Sequence, residues 1–137
     1  MFELVYCSVA QSNLTSQDIQ DILETSKKFN SDNQITGCLL YHDHEFLQVL
    51  EGDQQVVQDL FISIKKDLRH FNVLLLAEGE KESRTFAKWS MAYLELNANE
   101  IQKHGFIKDL KAFSQLADKP THAIDLFWTM AVHILND

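Results

Sequence analysis

Five polar residues occupy positions where the surrounding pattern calls for hydrophobes: Tyr6, Ser26, Asn30, Gln48 and Asp67. Gln48 is the clearest. Side chains alternate across a strand, so in Phe46-Leu47-Gln48-Val49-Leu50 the amide shares a face with two large hydrophobes. A buried amide left unpaired costs roughly 1–3 kcal/mol, so side chains or a ligand must satisfy it. Tyr6 shares a strand face with Leu4. Ser26 and Asn30 prolong the helical stripe Ile19, Ile22, Leu23, and Asp67 ends the stripe Val56, Leu60, Ser63. Such a set is either a self-satisfied hydrogen-bond network or the lining of a slot between two helices. The slot would suit a planar ligand whose rings give apolar contact and whose edges pair with the amides. Spacing leaves both open.

Other chemistries find less support. The chain has 4 glycines, Gly37, Gly52, Gly79 and Gly105, and none opens a phosphate-cradling loop or a dinucleotide fingerprint. His42 and His44, with Asp43 and Glu45, have ligand chemistry for a metal, but four polar residues between two apolar runs read first as a solvated turn, and no metal is expected. Ser8, Ser63 and Ser90 lack the flanking signature of an activated nucleophile. A small ferredoxin-like hydrolase of the acylphosphatase kind would need an anion-cradling loop after the first strand, and Gln11–Thr15 contains neither glycine nor arginine. Cys7 and Cys38 lie in apolar runs and read as packed thiols. A net charge of −8 opposes a phosphate-binding surface, so nucleic acid is not an expected partner. No apolar run approaches membrane-spanning length and no signal peptide is evident, so a cytoplasmic protein is expected.

The elements that must hold the polar set follow from periodicity. Phe2–Val9 is apolar on both faces and reads as a central strand. Thr15 and Asp18 form a capping pair for a helix to about Asn30. Gly37–Tyr41 and Phe46–Leu50 form a hairpin joined by the four residues His42–Glu45. Asp53 caps a second helix running to about His70, with Val57, Phe61, Ile64 and Leu68 as its core stripe and Asp67, Arg69 and His70 at its end. Val73–Ala77 reads as a fully buried strand, Glu78–Ser83 as a polar connection and Trp89–Leu96 as the last strand. The order βαββαββ predicts a ferredoxin-like α+β fold: a mixed sheet with two helices on one face. Two C-terminal helices follow, around Phe106–Ala117 and Ile124–Leu135, the second capped by Thr121. Leu126 and Met130 fall outside the second helix's main stripe, which suggests burial against more than its own sheet.

The residues resemble the BLUF domains, blue-light sensors using FAD. The resemblance runs from Leu4 to about Tyr93. It rests on LVYCS in the first strand, Asn30 ahead of ITG, FLQVLEG, the DLRH segment and Arg84-x-Phe86-x-x-Trp89-x-Met91. It implies FAD lying between the two sheet-packed helices. Tyr6 would be the photochemical electron and proton donor, Gln48 the switching amide between it and the flavin, and Asn30 a flavin carbonyl partner. Ser26, Asp67, Arg69 and His70 match further positions around the cofactor, and Trp89 and Met91 match strand residues that carry the signal outward. Ser63 stands where members often place an arginine, and Phe29 where a second asparagine is frequent.

On this reading residues 1–97 form a flavin-binding sensory core and 98–137 a helical extension for output or oligomer contact. The protein is expected to act as a photoreceptor and not as an enzyme, signalling through its last strand and C-terminal helices to a partner protein or a second subunit in a homo-oligomer. The competing reading is a flavin-free interaction module on the same fold.

Overall fold

The computed structural model describes residues 1–88, 90–95 and 121–136, with side chains left out of account at 94, 95, 135 and 136. Strands β1 (Phe2–Ala10), β2 (Thr36–His42), β3 (Glu45–Gly52), β4 (His70–Glu80) and β5 (Ala92–Glu95) alternate with helices α1 (Ser16–Asp32) and α2 (Gln54–Lys66), and α3 (His122–Asn136) follows. The sheet order is β4-β1-β3-β2-β5. Among the described strands only the β2–β5 pair is parallel. The architecture is the mixed-sheet, ferredoxin-like α+β fold that the sequence pattern predicts.

Each face of the sheet carries its own core. Leu4, Tyr6, Phe46 and Leu50 pack with Ile19 and Leu23 of α1 and Val57 and Phe61 of α2. Val5, Leu40, Leu47 and Val49 pack with Ile124, Phe127 and Ala131 of α3. Central strands covered on both faces have no solvent side, which is why β1 and β3 read as near-continuous apolar runs. Helix α1 starts where its capping box lies: Asp18 N donates to Thr15 Oγ1 at 3.1 Å and Thr15 N to Asp18 Oδ2 at 2.9 Å. Asp53 caps α2 by accepting from Val56 N at 3.2 Å.

The hairpin connection is shorter than the expected four residues. His42 pairs with Glu45, leaving Asp43 and His44 as a two-residue turn with φ of 47° and 64°. Positive φ at both central residues is the sign of a type I′ turn, whose twist matches the flanking strands. The register is the same either way, with Leu39 opposite Gln48. Gly37 is dictated by its neighbour on β3, because a Cβ there would lie 2.1 Å from the Val49 carbonyl oxygen.

Helix α2 stops at Lys66, about one turn before the expected end at His70. Asp67 accepts from the Arg69 backbone N–H at 3.0 Å, a local turn that competes with continued helix. His70 then opens β4, opposite Ala10. Leu68, assigned to the core stripe from spacing, is 87% exposed as a consequence. Strand β4 is also longer than Val73–Ala77 and is not fully buried. It lies at the sheet edge, and Leu74 is 58% exposed. Glu78–Glu80 belong to this strand, not to a connection. The final strand starts at Ala92, after the expected Trp89. Trp89, Leu96 and the helix expected around Phe106–Ala117 lie outside the described residues.

Candidate functional site

Tyr6 on β1 and Gln48 on β3 stand directly opposite one another, both facing α1 and α2. Their strands are neighbours at the centre of the sheet, so the positions of both side chains are fixed by two flanking ladders each. The Tyr6 hydroxyl donates to Gln48 Oε1 in a short hydrogen bond. The other end of the amide is poorly served. Gln48 Nε2 has, among the described residues, only the Met91 thioether sulfur at 3.5 Å. Sulfur is a weak acceptor, so a strong, buried N–H donor lacks a matched partner.

Gln48 lines a cavity of about 290 Å³ between α1, α2 and the sheet. Ile22, Leu39, Phe46, Leu60 and Ile64 give it apolar walls, and Tyr6, Ser26, Asn30, Gln48, Asp67, Arg69 and His70 give it polar points. These seven residues, proposed from sequence, are therefore brought together on one cavity. Met91 reaches Gln48 from beside it, and Trp89 lies outside the described residues. Thr25, Phe29, Leu39, Phe46 and Ser63 also line the cavity. Pairing register could have found Leu39, which stands opposite Gln48. Thr25 sits on an exposed helical position and gave no pattern signal.

Several lining residues are anchored by hydrogen bonds of their own. Asn30 Nδ2 donates to the Ser90 carbonyl at 2.9 Å, tying α1 to the segment that enters β5. His70 Nε2 lies 2.6 Å from the Ile64 carbonyl, which can only accept, so Nε2 carries the proton. Nδ1 then accepts from the Ser8 hydroxyl at 2.8 Å, and the ring joins the end of α2 to β1. At the mouth Arg69 grips Asp67 through Nε at 2.9 Å and Nη2 at 2.5 Å. The guanidinium hydrogen bond holds the Asp67 carboxyl below the usual carboxylate range. Burial, with Asp67 nearby, pushes the Tyr6 phenol above its ordinary value, so it stays neutral at physiological pH.

The donor set suits a flat, polar-edged ring system. Aliphatic and aromatic side chains wall the cavity, and Gln48, whose amide N–H has only a thioether as acceptor among the described residues, lies on its lining. Residues 1–92 match the family described as BLUF, sensors of blue-light using FAD. The chain belongs to the BLUF family. It is 28% identical over 97 residues to the blue light- and temperature-regulated antirepressor BluF of Escherichia coli (strain K12), a match covering 71% of this chain and 24% of that protein. It is 32% identical over 89 residues to the photoactivated adenylate cyclase subunit beta of Euglena longa, covering 64% of this chain and 10% of that one. The chain thus spans about a quarter or less of the length of these curated relatives. The solved structure of the BlsA photo-activated state superimposes with a TM-score of 0.72 at 31% identity, covering 99% of this BLUF chain and 95% of that chain. No helix among the described residues is long and apolar enough to cross a membrane.

Proposed function

We propose that this BLUF protein is a blue-light photoreceptor that binds FAD non-covalently in the cavity between α1 and α2, with Tyr6 and Gln48 as its light-responsive pair. The Tyr6–Gln48 hydrogen bond at the cavity wall, with the amide N–H directed to a mere thioether, carries this reading. Asn30, Ser26, Asp67, Arg69 and His70 hold the cofactor's polar edges. When bound, the flavin supplies blue-light absorption and an excited ring able to take an electron from a neighbouring phenol.

The chain's own groups then act locally. Tyr6 holds its proton at Oη in line with Gln48 Oε1, and an oxidised phenol is a strong acid, so the proton has a path already made. After charge and proton return, the Gln48 amide can settle with its ends exchanged or its tautomer changed, since one end donates and the other accepts. Nε2 leaves the Met91 sulfur in that rearrangement. Two hydrogen-bond patterns of similar energy thereby bias β3 and β5 between two packings. The signal leaves through β5, Met91, Trp89 and the C-terminal helices to a partner protein or a second subunit. Residues 1–97 act as the sensor and 98–137 as its output.

The absorption spectrum before and after blue light tests this. The purified protein is expected to be yellow, to release FAD on denaturation, and to show a reversible red shift of the flavin band. A colourless protein that takes up no added flavin would point to the flavin-free interaction module instead.

A further inference from the structure

On the opposite face of the strands that carry the site lies a second polar cluster with no part in it. Glu3 and Glu51 oppose one another across β1 and β3, three residues along from Tyr6 and Gln48. Side chains alternate, so an offset of three turns these carboxylates toward α3 while Tyr6 and Gln48 face α1 and α2. Three residues of strand span about 10 Å, which keeps the two rungs within one stiff ribbon. Glu3 and Glu51 are 1% and 0% exposed. The Lys81 ammonium sits between them, 3.2 Å from Glu3 Oε2 and 2.8 Å from Glu51 Oε2.

The two carboxylates are not equally served. Glu51 accepts from Thr85 N at 2.9 Å, Phe86 N at 2.6 Å and Thr36 Oγ1 at 2.8 Å, and it fixes the segment after β4. Phe86 carries that fixed point to α3, its ring 6.2 Å from Phe127 and 6.0 Å from Trp128. Among the described residues Glu3 Oε2 has the ion pair but no hydrogen bond. Its other oxygen accepts a short hydrogen bond from the Thr121 hydroxyl. Thr121 is the residue on which α3 starts: Ile124 N donates to its Oγ1 at 3.2 Å and Asp125 N to its carbonyl at 3.0 Å. A carboxylate is favoured there by the positive end of the helix dipole. The entry of α3 therefore hangs on an under-satisfied buried carboxylate, which is costly to leave once its partners move.

We infer that Glu3, Glu51 and Lys81 form a latch that ties the entry of α3, through Thr121, to the strand pair carrying Tyr6 and Gln48. A shift of β3 against β1 at the Tyr6–Gln48 rung is felt one ribbon step away as a change in the Lys81 bridge, and Glu3 then releases Thr121. The trigger rests on the light-sensing reading above. The tie itself does not.

Amide hydrogen exchange on the full chain, dark and illuminated, separates the two. In the dark, Glu3→Gln and Thr121→Val are each expected to speed exchange at residues 122–126 by about tenfold, leaving residues 16–32 unchanged. Thr121→Ser, which keeps the hydroxyl, should restore the wild-type rate. The double variant should not exceed Thr121→Val, because that change already removes the Glu3 contact together with the Ile124 cap. Additive singles, or unaltered dark exchange in either, would overturn the tie. Under blue light the wild type should gain exchange at the same amides, and Glu3→Gln should show its normal spectral shift with no further gain there. A wild type that red-shifts without any change at 122–126 overturns the coupling while leaving the photoreceptor reading intact. A wild type with no red shift removes that reading and the trigger together, and the dark comparison still decides the tie.

Discussion

The Tyr6 hydroxyl and the Gln48 side-chain oxygen Oε1 meet across one rung of the β1–β3 ladder, so the distance between them is set by backbone pairing and not by loop geometry. A contact held this way is reproducible at the level a proton transfer needs. Tyr6→Phe and Gln48→Leu change no strand register and keep the cavity walls. Each is expected to retain flavin and to abolish the normal red shift in a light-minus-dark spectrum. A normal shift in either variant would remove that residue from the proposed pair.

Burial sets the Tyr6 phenol above its ordinary value, with the Asp67 charge adding to the effect. The sign follows directly. A folded-state pKa above the unfolded value of about 10 favours the neutral phenol, so its contribution to stability is complete below that pH and is lost as pH rises beyond it. Tyr6 should ionise above the range of a free phenol, together with alkaline unfolding. Phenolate absorbance against pH checks this. In Tyr6→Phe that step should disappear, and a Tyr6 step near that of a free phenol would contradict the burial argument.

Asp67 works in the other direction, since the Arg69 guanidinium holds its carboxyl low. Its contribution is present above the unfolded value of about 3.9 and lost as pH falls through the depressed folded value. The pair is partly solvent-exposed, with side chains 31% and 44% accessible, so its worth is below about 1 kcal/mol and shrinks with salt. Melting temperatures of wild type and Asp67→Asn should differ slightly at neutral pH and converge on acidification. A gap that widens toward low pH would show that the pair is not the cause.

Gly37 and Gly52 offer a matched contrast. A Cβ at Gly37 would meet the Val49 carbonyl oxygen at 2.1 Å, whereas one at Gly52 would meet the Gln34 carbonyl oxygen at 3.3 Å. Backbone at the centre of a sheet cannot move aside, so Gly37→Ala should cost about 2–4 kcal/mol and Gly52→Ala less than about 1.5 kcal/mol. Denaturant midpoints measure both. Equal losses would show that the β2–β3 ladder yields more easily than its geometry implies.

Legibility in the sequence followed the range of the interaction concerned. Helix α1 was readable at its start because Thr15 and Asp18 satisfy each other within four residues. The hairpin register was readable because any even placement of the turn between Tyr41 and Phe46 gives the same pairing. The end of α2 was not, because Leu68 keeps helical spacing with Ile64 while the Asp67–Arg69 turn and the pairing of His70 with Ala10 draw the chain into β4. The burial of Val73–Ala77 is not legible for a similar reason. An apolar strand looks alike at a sheet centre and at an edge, and strand order alone separates them.

The carboxylates show the same division most sharply. Glu3 lies among the apolar residues of β1 and Lys81 in a stretch that reads as polar connection, so nothing local joins them to Glu51 or to Thr121, 118 positions from Glu3. The sequence by itself determined which faces are apolar, where polar residues interrupt them and the order of the elements, because periodicity and capping act over a few residues. Only the tertiary structure decided that Tyr6, Asn30, Gln48 and His70 share one cavity and that Glu3, Glu51 and Lys81 share another site behind it. Convergence of distant residues is fixed by strand order and register, and those are settled by packing the whole chain at once.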